Sequence, residues 1–270
     1  MAVERRRVLR NLCGATAAGA AGTLLGACSD TTAAPPERPG TASPSPAARH
    51  AAPTSAASRA VASPAALPPH LPDQVRHGPR DRPNVALTFH GQGEPALAEA
   101  VLTTAERAGA HLTVLAVGTW LDAHPGIARR ILSGGHDLGN HTQHHVDISA
   151  MNAADAYREI DDCARRLRRL TGSAGTWFRP SQAVLATPLV QRQARKAGYA
   201  HCLSYDVDSL DYTDPGADAV RGTVLAAVRP GSVVSMHLGH TGTLEALPGI
   251  LDGLRGRGLS AVTATRMVRA

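Results

Sequence analysis

From residue 84 to the C-terminal end, short apolar runs alternate with stretches of helical period. Runs at 84–89, 111–117, 137–141, 176–178, 199–207, 232–237 and 260–263 are predicted strands. Helices are predicted over 95–108, 125–132, 149–170, 217–228 and 243–254, with another opened by Thr187-Pro188 and closed by Gly198. Tyr157, Ile160, Ala164, Leu167 and Leu170 give the longest helix an apolar face, and Gly172 stops it. A strand that is followed by a helix must cross over before it can pair again, which makes neighbouring strands parallel. The chain is therefore an α/β protein whose parallel sheet is either open or closed into a barrel.

The segments before this pattern have other uses. Arg5, Arg6, Arg7 and Arg10 precede a run of small and apolar residues from 12 to 27, the layout of an export signal. Leu25-Gly26-Ala27-Cys28 resembles a bacterial lipobox with Cys28 as the lipidated residue, and Arg5-Arg6-Arg7-Val8-Leu9 resembles a twin-arginine signal. An uncleaved apolar anchor is the alternative, and both place the domain outside the cytoplasm. Residues 28–80, rich in Ala, Pro and Ser, have too few large apolar side chains to offset chain entropy and read as a disordered tether. The expected division is 1–27 signal, 28–80 lipidated tether and 81–268 folded domain, with the membrane reached through Cys28.

The net charge of +6 falls to +3 once the four Arg and one Glu of the first 27 residues are set aside. No basic stripe with interleaved aromatics remains, which excludes nucleic acid as a partner. Cys163, on an apolar helix face, and Cys202, in a strand, read as buried thiols.

Polar residues gather where predicted strands end: Thr88-Phe89-His90, Asn140-His141, Arg179, Asp206-Val207-Asp208 and His237. Strand C-termini are where such folds build their sites. His141 and His145 are four residues apart, a spacing that brings two imidazoles to one face of a helical turn and suits one cation.

These residues resemble the polysaccharide deacetylase family, the NodB-homology domain. His141-Thr142-Gln143-His144-His145 is similar to its H-[ST]-x-x-H motif, and Arg179-Pro180 to the start of its R-P-P motif. Asp208-Ser209-Leu210-Asp211-Tyr212 is similar to D-S-x-D-W, and the apolar strand 233–237 ends in the expected histidine, His237. The resemblance implies an irregular (β/α) barrel that removes acetyl groups from an N-acetylated glycan of cell-wall or chitin type. It implies a divalent metal, zinc first, on His141 and His145, with His237 as general acid and Arg179 orienting the base. Asp211, then Asp208, is expected to hold His237. Trp177 and Tyr212 are candidate sugar platforms.

The first motif departs from the family pattern T-F-D-D-G-P, where the first Asp is the base and the second a metal ligand. Here the chain reads Thr88-Phe89-His90-Gly91-Gln92-Gly93. His90 could complete a three-histidine metal site, with Glu94 or Asp208 as base. It could instead act as the base, since imidazole titrates near neutrality. Or the domain could bind glycan without cutting it. A changed first motif also admits an O-acetyl ester as substrate. His144, His124 and His136 are expected to be surface or structural residues.

Overall fold

The computed structural model describes residues 67–269. The expected signal, the lipidation residue Cys28 and residues 28–66 of the tether lie outside the described residues. In chain order the elements are β1 (Gln74–Val75), β2 (Asn84–Gly91), α1 (Pro95–Arg107), β3 (Thr113–Ala116), α2 (Gly118–Ala123), α3 (Pro125–Ser133), β4 (Asp137–Asn140) and α4 (Ala153–Thr171). They continue as α5 (Pro188–Lys196), β5 (Cys202–Leu203), β6 (Val207–Asp208), α6 (Ala217–Ala227), β7 (Val233–His237), α7 (Thr241–Gly256), β8 (Ser260–Ala261) and α8 (Ala264–Arg269). Among the described residues no helix is long and apolar enough to cross a membrane.

Every strand pairing is parallel. The main sheet runs β4-β3-β2-β7-β6, with β8 on the first residues of β2. Phe178 bridges β4 to β5, and β5 pairs β1. The two edges of this arrangement are joined by the chain itself, which leaves β5 at Leu203 and enters β6 at Val207. That crossing makes the irregular barrel.

Two sequence expectations change here. The single strand expected over 199–207 is two short strands on opposite edges, and the strand expected over 176–178 is the one-residue bridge at Phe178. The break comes where Ser204 gives its hydroxyl to the Val184 carbonyl at 2.5 Å and Asp206 takes the β7 amide of Val233 at 2.8 Å. The folded domain also begins before residue 81. Val75 is fully buried in a strand on β5, and Arg80 pairs with Asp206 at 2.7 Å.

Strand alternation sorts the side chains of β2. Val85, Leu87 and Phe89 pack under the helices, while Ala86 joins Leu115, Trp177, Leu203, Val233 and Met267 inside the barrel. The register of β2 on β7 stacks this interior in layers: Ala86 with Val233, Thr88 with Ser235, His90 with His237. An apolar plug, closed below by Met267 and Val268 of α8, thus carries a hydroxyl layer and then an imidazole layer toward the strand C-termini. At Gly139 a Cβ would sit 2.6 Å from the Trp177 carbonyl, so glycine lets β4 approach that segment.

Candidate metal centre and active site

His90, the penultimate residue of β2, points into the barrel mouth, and His141 follows β4 directly. The 141–147 stretch is not the helical turn that the spacing suggested. It is a loop in which Thr142 (φ 68°) and His145 (φ 56°) adopt left-handed backbone. Asn140 and Glu159 hold it. Asn140 Oδ1 accepts the Thr142 amide at 2.8 Å while its Nδ2 donates to the Ile160 carbonyl at 2.8 Å and the Tyr199 hydroxyl at 3.0 Å. Glu159 Oε2 accepts the amides of Gln143 and His144 at 3.1 and 2.9 Å, and its Oε1 lies 2.6 Å from His144 Nδ1. His144 therefore faces away from the ligand pair, as expected.

Among the described residues five non-glycines have left-handed φ: Thr142, His145, Gln182, Leu210 and Asp214. All lie in the three loops around the barrel mouth. Such backbone costs about 1–3 kcal/mol at each residue and persists where surrounding structure dictates it.

One nitrogen each from His90, His141 and His145 lies within 4.8 Å of the others. His141 Nδ1 lies 3.0 Å from the Arg179 carbonyl and donates to it, which leaves a bare lone pair on Nε2. His145 Nε2 stands 3.1 Å from that atom. Two zinc ligands at 2.0–2.1 Å in tetrahedral geometry would be about 3.3 Å apart. The donor set thus fits a divalent cation. Gly91 cannot be a ligand. Its strand stays regular and a Cβ there would face β3, 2.9 Å from both Ala116 Cα and Val114 Cγ1. Gly91→Asp is accordingly expected to lower stability by about 1–3 kcal/mol through overpacking. A melting temperature equal to that of the wild type would refute this.

Burial, then the neighbouring His141, Arg179, His237 and His145, hold His90 well below the ordinary 6.5. Burial, with His145 next, does the same to His141. Both are neutral in the fold, as metal ligation or base work requires. The unfolded chain takes up protons near 6.5 and the fold only at lower pH, so the metal-free protein loses stability as pH falls below about 6.5. The slope is roughly 1.4 kcal/mol per pH unit for each such imidazole. Denaturant midpoints for chelator-treated protein at neutral and mildly acidic pH measure it. Midpoints that do not move would contradict the assignment of neutral imidazoles.

His237 faces His90 with ring centroids 4.3 Å apart. Its Nδ1 lies 2.7 Å from Asp211 Oδ1, and its backbone amide donates to Asp211 Oδ2 at 2.7 Å. Thr243 adds a 2.6 Å hydrogen bond to the same carboxylate. Burial alone would raise the Asp211 pKa, but these hydrogen bonds outweigh it and hold Asp211 below the ordinary carboxylate range. Asp211, rather than Asp208, is the partner of His237. Asp208 instead lines a cavity of about 400 Å³ together with His90, His145, Tyr205, Tyr212, Ser235 and His237. Glu94 is exposed at the start of α1 and does not line that cavity.

Arg179 is fully buried and hydrogen-bonds no carboxylate among the described residues. It donates to the carbonyls of Leu203 and Ser204 at 3.0 and 3.1 Å and to Thr88 Oγ1 at 2.8 Å, while its Nη1 finds no acceptor. Burial lowers its pKa to about 10. Arg179 cannot take the expected role of orienting a carboxylate at residue 90, because that residue is a histidine; the carboxylate whose charge acts on it is Asp208, which it does not hydrogen-bond. Trp177 is corrected more sharply. It is fully buried, part of the apolar plug, and its Nε1 donates to Thr265 at 3.0 Å, so it cannot stack on a sugar. Tyr212 is half exposed at 49% and stands 5.4 Å from His237, centroid to centroid, at the cavity rim.

The sequence reading passed over Ser235, whose Oγ lies 3.1 Å from His90 Nε2. Period two along β7 would have found it, since Ser235 and His237 share a face. Glu159 has no comparable signal, because the amides it accepts belong to a loop fifteen and sixteen residues earlier. Cys163 and Cys202 are buried free thiols, each pushed up to about 12 by burial.

The family model for polysaccharide deacetylase matches residues 77–202. A chitooligosaccharide deacetylase of Sinorhizobium fredii is 31% identical over 170 residues, covering 62% of this chain and 79% of that protein. The chain belongs to the polysaccharide deacetylase family. A peptidoglycan-N-acetylglucosamine deacetylase of Bacillus cereus is 28% identical over 196 residues, 70% of each protein. The fold is also that of BA3943 from Bacillus anthracis, described as a pseudoenzyme of family CE4, with a TM-score of 0.69, 20% identity, and 76% and 69% of the two chains covered.

Proposed function

We propose that this polysaccharide deacetylase is a metal-dependent hydrolase that removes acetyl groups from N-acetylated glycans, with zinc on His90, His141 and His145. The observation that carries the reading is the convergence of three histidine nitrogens beside a cavity that is also lined by His237, itself held by Asp211. A bound divalent metal supplies Lewis-acid polarisation of the acyl carbonyl and an activated water. The remaining steps belong to side chains. Asp208, in the cavity wall and hydrogen-bonded among the described residues only to the nearby Leu210 amide, takes the proton from water. His237, oriented by Asp211, returns a proton to the leaving amine. The buried Arg179 charge favours the oxyanion that forms near it. Tyr212 offers its half-exposed ring to a sugar face at the rim.

Relatives named chitooligosaccharide and peptidoglycan-N-acetylglucosamine deacetylases support the substrate class. The export signal and Cys28 anchor, if processed as the lipobox implies, put the site where wall glycans are met. Acetate release from N-acetylglucosamine oligomers by zinc-loaded protein tests the reading, with O-acetylated sugars as a second substrate. A second reading, glycan binding without cleavage, is favoured by the loss of both first-motif carboxylates at His90 and Gly91. Oligomer binding with no acetate released from either substrate would establish it.

A further inference from the structure

His141 and His90 are prepared for a cation by different means. His141 has its Nδ1 on a backbone carbonyl, that of Arg179, which no substitution removes. His90 makes one side-chain hydrogen bond among the described residues, between its Nε2 and Ser235 Oγ at 3.1 Å. We propose that Ser235 is a positioning residue, accepting Nε2–H of His90 and so fixing the imidazole tautomer whose lone pair, on Nδ1, is free to take the metal. This rests on the three-histidine reading above and adds to it the atom His90 uses.

Two observations and one chemical argument support the assignment. Ser235 is buried in the middle of β7, 1% exposed, one interior layer below His90 and level with Thr88, so its hydroxyl is held in place. The phenol oxygen of Tyr205 lines the same cavity as Ser235 and is able to accept the serine proton, which would leave a serine lone pair for His90. The opposite arrangement, with Ser235 donating to Nε2, would put the proton on Nδ1 and leave His90 no lone pair for a cation. Ligating histidines commonly donate their second N–H in this way, and loss of that partner weakens metal binding about 10–100-fold.

The tautomer is read directly by nitrogen-15 NMR of the metal-free full chain labelled at histidine. The expected pattern is Nε2–H for His90 in the wild type and a mixture in Ser235→Ala. The resonances of His136, held by the Leu112 amide, serve as the control for folding. Zinc affinity by competition should fall about 10–100-fold in Ser235→Ala and further in His90→Ala. An Nδ1–H tautomer for wild-type His90 overturns the proposal, as does unchanged zinc affinity in Ser235→Ala while His90→Ala loses it. If the wild type binds no zinc, or His90→Ala binds it equally well, the three-histidine reading falls and takes this one with it.

Discussion

Replacing His90 by alanine is expected to lower zinc affinity on the order of a hundredfold to a thousandfold. A structural zinc with four ligands binds with about 10–16 kcal/mol, or about 2.5–4 kcal/mol for each ligand, and one ligand here is removed with nothing to replace it. Gly91 cannot substitute, since its Cα–Cβ direction faces β3 rather than the cavity. Glu94 lies outside the cavity and Asp211 is already engaged by His237 and Thr243. The measurement is zinc content after dialysis, with affinity by competition against a chelating dye. Stoichiometric zinc retained at wild-type affinity, together with lost acetate release, would make His90 the base and leave the metal to His141 and His145.

His237→Ala is expected to give the opposite pattern, with acetate release reduced roughly 10²–10⁴-fold and zinc retained, as befits a general acid outside the ligand set. The separation is physical. His237 contributes none of the three converging nitrogens, while Asp211 fixes its ring through Nδ1 at 2.7 Å and so leaves Nε2 as the nitrogen for a leaving group. Asp211→Asn should lose much of the same rate by keeping the shape and changing the charge that orients the imidazole. Steady-state rates on N-acetylglucosamine oligomers, paired with metal content, decide the matter. A His237→Ala variant that loses zinc in step with activity would place His237 in the metal site instead.

Much of this architecture was legible in the chain. Alternation of strand and helix periods dictated parallel pairing, and the caps at Thr187 and Gly172 appear where their residue types suggested, while the longest helix starts at Ala153 behind an Asn152 cap rather than at residue 149. His141, Arg179 and His237 were found because each closes a predicted strand or follows one, His145 by its spacing from His141, and Asp211 by the resemblance to the family motif. Three features were not legible. The 199–207 run divides because two ends of a barrel compete for it, a constraint no local window contains. Trp177 was a plausible platform by composition, yet parity on the interior face put it in the plug. The turn around His145 needs left-handed backbone, which is held by Asn140 next to it and by Glu159 and Gln182 from elsewhere in the fold.

By itself the sequence determined the family and which imidazoles gather at the barrel mouth, because strand period and motif spacing are local properties. It also determined that both first-motif carboxylates are gone. Tertiary structure alone decided that His90 turns inward beside His141 and His145 while Gly91 packs outward on β3. It decided as well that Asp211 rather than Asp208 holds His237, and that Arg179 is buried with no carboxylate hydrogen-bonded to it among the described residues. These outcomes depend on register between β2, β7 and β3, and register is set by packing across the whole barrel rather than by any neighbour in sequence.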